Sequence, residues 1–148
     1  TSDLVESSVM ACYEHGKAMT VPQYIGATSV MNQVTRTVAP FFEKYDILAT
    51  PTIARVPQPL GFLNADAKGW TAQSWTDTVF DFAPFTPLFN TTGQPAISLP
   101  LGQSSKGLPI GIQFVAAYGK EDLLYRLAGQ LEEAAPWAGR RPQVFAGN

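Results

Sequence analysis

One histidine, one cysteine and a Ser104-Ser105-Lys106 cluster are the side chains of this sequence that could serve as base, nucleophile or acyl-transfer pair. A histidine base works against a nucleophile and is itself oriented by an acid. His15 stands beside Gly16 among solvent-type residues, and no G-x-S-x-G elbow occurs, so an exposed histidine near a helix end is expected. A Ser-Lys pair needs a desolvated lysine whose neutral amine can take a proton. Residues 104–107 carry turn chemistry instead, and Lys106 is expected to be hydrated and cationic. Metal-ligand spacing is absent, since Glu121-Asp122 and Glu132-Glu133 are neighbours that point different ways on a helix. Cys12 alone can form neither an internal disulfide nor a cysteine metal cluster, and is expected to be a small buried hydrophobe. The expectation is that this chain holds no catalytic residue, no metal and no cofactor.

The elements that would position these groups follow from periodicity. Residues 3–44 predict a helix pair. Thr20 with Gln23 forms a capping box, Pro22 suits the first turn, and Tyr24, Thr28, Met31, Val34, Val38, Phe41 and Phe42 hold one face to Lys44. Residues 46–50 read as a short buried strand stopped by Pro51. Three prolines and two glycines make 51–69 a long loop, of the kind that is functional or packed on a partner. Residues 70–92 form an aromatic-rich stretch, one helix and then a turn at Pro84 and Pro87. Two strand patterns with a turn between them make 95–115 a hairpin. Leu123, Leu124, Leu127, Ala128 and Leu131 line a closing helix over 120–135. Together these indicate an α/β layer.

Composition narrows the partners. Of 148 residues 45% are hydrophobic and only 15% charged, where about 25% is usual. Such a chain is not disordered, and much of its surface is expected to be covered by something else. Net charge is −2 and the basic residues are scattered, with Arg140-Arg141 the single adjacent pair, so nucleic acid is excluded as a partner. No run is apolar for the roughly 18 residues of a membrane span. Thr1-Ser2-Asp3 has neither initiator Met nor a signal-peptide pattern, which predicts cytoplasmic residence and a piece of a longer chain.

Three stretches carry a resemblance. Residues 41–52 (FFEKYDILATPT) resemble the Tyr-Asp-(aliphatic)-(aliphatic)-x-Thr-Pro-Thr segment of amidase signature enzymes. Residues 90–100 (NTTGQPAISLP) are similar to their Asn-x-(Thr/Ser/Ala)-Gly-x-Pro-Ala-Ile-Ser-x-Pro, and residues 107–113 (GLPIGIQ) to their Gly-Leu-Pro-(aliphatic)-Gly-(aliphatic)-Gln. Each is weak alone, but their order and the closing helix make the combination specific.

The resemblance implies an α/β fold in which this chain is the C-terminal part of a large mixed β-sheet flanked by helices. The family's lysine and two catalytic serines lie in a Gly/Ser-rich region upstream, and no such run occurs here, so none is carried over. The implied function is an amide hydrolase to which this chain contributes scaffold and pocket wall, without catalytic residues. Its partners would be the missing N-terminal part of the amidase domain and a small-molecule amide, and its apolar surface leaves room for a homo-oligomer. In the family, the segment before Asn90 helps wall the acyl pocket, which makes Phe82, Phe85, Thr86 and Phe89 the candidate substrate-binding residues. Ala83 stands where the family's amidotransferase members often carry an acid, which argues for an aromatic or aliphatic amide. Core filling by the same phenylalanines is the plain alternative for each. For the whole chain, the alternative is a non-catalytic α/β module that binds a protein through its apolar face.

Overall fold

In a computed structural model that describes residues 4–142 and 144–146, the chain forms six helices and three strands among those residues. Asp3, the first residue of the predicted helix pair, lies outside them. The pair is α1 (Ser7–Ala18) and α2 (Val21–Val38), followed by a short α3 (Phe41–Lys44). Thr20 has extended backbone, and Gln23 Oε1 accepts from its backbone N–H at 2.8 Å. That bond satisfies one orphan donor at the helix start. One continuous face to Lys44 is not what forms. The helix stops at Val38 because Pro40 offers no N–H and its ring crowds the preceding turn.

β1 (Ile47–Pro51), β2 (Ala96–Gln103) and β3 (Pro109–Ala116) make an antiparallel sheet of order β1-β3-β2. The register sets Thr50, Gln113 and Ser98 side by side, and likewise Leu48, Val115 and Ala96. Between Leu99 and Gly102 β2 carries an extra residue. Pro100 falls in that bulge on an edge strand, where a missing N–H costs nothing. Its carbonyl accepts from Arg140 Nη1 at 2.9 Å, which straps the C-terminal segment to the sheet edge.

The aromatic stretch resolves into two helices, α4 (Ala72–Phe82) and α5 (Pro87–Thr92), rather than one helix and a turn. Thr71 starts α4 by accepting from Ser74 N–H at 3.0 Å. Pro84 follows its end, but Pro87 stands at the first position of the next helix, where proline is suited. Gly93 closes α5 with φ of +79°, a left-handed conformation that favours glycine. α6 (Glu121–Ala134) lies on β3 and β2.

The buried apolar core is small: Phe89, Leu99, Val115, Ala116 and Leu124 among the described residues. Cys12 is exposed, a correction to its expected burial. α2 also leaves its apolar face open, with Tyr24 and Met31 exposed. Both have one cause, the lack of an element in this chain to cover those faces. The chain exposes 10673 Å², against about 7,400 Å² for a compact folded protein of its mass.

Candidate functional site

The four candidate residues sit at the junction of α4 and α5. Phe82 is the last residue of α4 and half-buried. Phe85 and Thr86 lie in the link, also half-buried. The Thr86 carbonyl accepts from Phe89 N–H at 3.2 Å, turning the chain into α5. Phe89 is 5% exposed and belongs to the core, on the helix that packs against α2. The first three therefore retain exposed surface, whereas Phe89 is enclosed.

The long segment between β1 and α4 is tied to the same junction. Ala54 N–H donates to the Phe82 carbonyl at 3.0 Å, satisfying an orphan acceptor at the end of α4. The Arg55 guanidinium pairs with the Asp81 carboxylate. The Phe62 ring meets the Phe82 ring at 6.0 Å between centroids, tilted by 43°. Sequence marks this loop as long enough to be functional but holds no signal for Phe62, because the contact spans twenty residues.

One face of the sheet carries a polar strip. Gln113, 4% exposed, donates from Nε2 to Thr50 Oγ1 at 3.1 Å. Thr52 and Ser98 hydroxyls share a hydrogen bond of 2.6 Å. Both crowd the space above Gly111, where a Cβ would come within 2.8 Å of one and 2.9 Å of the other. Gly111 is thus needed for the close approach of neighbouring side chains.

The remaining reactive side chains are not assembled for catalysis. Ser104 Oγ accepts from the backbone N–H of Lys106 at 3.3 Å and of Leu108 at 3.1 Å, as a turn residue does. Ser105 and Lys106 line an open cleft of about 570 Å³ with Val56 and Pro59, and Lys106 is exposed. His15 is exposed on α1. Among the described residues, no serine hydroxyl is hydrogen-bonded to the side chain of a histidine, lysine, aspartate or glutamate. No group of three or more His, Cys, Asp or Glu among them could hold a metal ion. No described helix is long and apolar enough to cross a membrane.

Comparison with known proteins agrees with the family resemblance. The family model described as Amidase matches residues 2–125. A 6-aminohexanoate-cyclic-dimer hydrolase of Paenarthrobacter ureafaciens is 48% identical over 105 residues, 68% of this chain and 21% of that protein. An acylamidase of Rhodococcus erythropolis is 33% identical over 103 residues, 69% of this chain and 21% of that protein. A solved structure of 6-aminohexanoate cyclic dimer hydrolase superimposes with a TM-score of 0.79 at 36% identity, covering 97% of this chain and 30% of the other. The chain thus spans between a fifth and a third of these relatives. On the family match and these likenesses, it belongs to the amidase family.

Proposed function

We propose that the chain is the C-terminal part of an enzyme that hydrolyses a carbon–nitrogen amide bond, to which it contributes scaffold and one wall of the acyl pocket. The observation that carries this is the family match over residues 2–125, in a chain that is similar to about a fifth of a known amide hydrolase. The nucleophile and its base would come from the remainder of the protein. Phe82, Phe85 and Thr86 would face the acyl group, with Phe89 behind them as support. An apolar wall of this kind favours an aromatic or aliphatic amide over a glutamine-type substrate, and Ala83 leaves no charge there to receive a polar one. A small-molecule amide would be the substrate, and the cytoplasm its compartment. Association between copies through the uncovered apolar faces fits the same reading.

The test is hydrolysis of a panel of small aryl and alkyl amides by the full-length protein that carries this chain. Turnover with preference for apolar acyl groups is expected. A full-length protein inert on the whole panel would overturn the reading.

A further inference from the structure

We infer that Phe62, on the segment between β1 and α4, is a specificity-determining residue that extends the acyl-pocket wall beyond Phe82 and selects for bulky apolar acyl groups. The inference rests on the pocket-wall reading above. Three contacts join the segment to the end of α4, and each is of a different kind. Ala54 N–H is bonded to the Phe82 carbonyl, Arg55 pairs with Asp81, and the Phe62 ring lies in aromatic contact with Phe82. These contacts tie the end of α4, and Phe82 with it, to the segment that carries Phe62.

The local backbone aims Phe62 at this place. Phe62 N–H donates to the Pro59 carbonyl at 3.2 Å, and Gly61 before it takes φ of +88°. Asn64 Oδ1 accepts from Asp66 N–H at 3.0 Å, closing the turn that follows. Phe62 touches Phe82 and yet remains 46% exposed, which leaves ring surface to meet another group. A large aromatic held beside a half-buried phenylalanine offers apolar contact that grows with the size of the group placed against it.

The experiment uses the full-length enzyme with Phe62→Ala, Phe82→Ala and the double variant. The readouts are kcat/KM for a small alkyl amide and a bulky aryl-alkyl amide, and the thermal midpoint. Each single variant is expected to lower the bulky-to-small ratio of kcat/KM by roughly tenfold, with the double variant falling short of the product of the two. A ratio that moves for Phe82→Ala but not for Phe62→Ala overturns the inference and leaves the pocket-wall reading standing. A ratio that moves for neither defeats the reading, and the inference with it. If Phe62→Ala does not fold, Phe62→Leu and Phe62→Trp replace it. Ratios that follow side-chain size support the inference, and ratios equal to wild type overturn it.

Discussion

The hydroxyl oxygens of Thr52 and Ser98 stand 2.6 Å apart and meet over Gly111 of the strand between them. Thr52 follows β1 and Ser98 lies on β2, so this bond joins the two outer strands across the middle one. It exists because position 111 has no Cβ. Replacing a strand glycine with alanine ordinarily recovers about 0.5–1 kcal/mol of backbone entropy. Here the added carbon would fall within 2.8 and 2.9 Å of two oxygens attached to neighbouring strands. Overpacking of that kind costs about 1–3 kcal/mol, and it outweighs the entropy gain. Gly111→Ala in the full-length protein is therefore expected to lower the thermal midpoint, with partial recovery on adding Ser98→Ala. A midpoint equal to or above wild type would show that the strands can part at no cost.

The isolated 148-residue chain should show no amide hydrolysis. Its Ser104 is held by backbone N–H groups and its Lys106 is exposed, so neither is prepared for proton transfer. Aryl and alkyl amide assays on the purified chain check this. Turnover that disappears with Lys106→Ala would contradict it.

The same chain should self-associate. It exposes 10673 Å², roughly 3,000 Å² beyond a compact fold of its size, with Val21, Tyr24, Ile25, Val30 and Met31 among the exposed side chains of one helix. A helix face with this many exposed apolar side chains is normally covered by a partner. Sedimentation across a concentration series is the measurement, and a monomer that stays soluble at the highest concentration would count against the expectation.

How much of this is legible in the sequence depends on the range of the interaction. The Thr20–Gln23 capping box and the Gly107 turn involve residues within four positions of each other, and sequence marks both. α5 is hidden because Pro84 and Pro87 read as breakers, although a proline at the first helical position is no obstacle. The break at Pro40 is masked because the apolar spacing continues on both sides of it. Burial is misread at Cys12, where no element of this chain covers the helix face. The proposed wall is half legible: Phe82, Phe85, Thr86 and Phe89 follow from their place ahead of the Asn90 segment in the family resemblance, whereas Phe62 and the Arg55–Asp81 pair depend on a fold that joins positions 20 and 26 residues apart.

Gly61→Ala should loosen the segment that carries Phe62. Nothing within 4 Å would meet the new Cβ, so the effect isolates the backbone conformation at φ of +88°. A left-handed conformation costs an L-residue about 1–2 kcal/mol, and much of that strain can be released locally by opening the loop. Faster limited proteolysis within residues 52–69 is expected, with a smaller change in the global midpoint. Unchanged cleavage would mean that the contacts at Ala54, Arg55 and Phe62 hold the loop without help from its turn.

Phe82, Phe85 and Phe89 should separate when each is trimmed in the full-length protein. Phe89 is 5% exposed, and removing a buried phenylalanine costs about 3–5 kcal/mol of stability whatever the substrate. Phe89→Ala is accordingly expected to melt early while keeping the wild-type preference between a small and a bulky amide. Phe82 and Phe85 are only half-buried, so their stability losses should be smaller. Lost apolar contact with the acyl group should instead cost roughly 1–3 kcal/mol in kcat/KM for the bulky amide and little for the small one. Thr86→Ala and Thr86→Val extend the comparison, because the valine keeps the shape and removes the hydroxyl. If Phe82→Ala and Phe85→Ala lower the midpoint as far as Phe89→Ala does, with the substrate ratio intact, all three are core residues and the wall lies elsewhere. A ratio that changes for the half-buried pair and not for Phe89 places the boundary between pocket and core at the first turn of α5.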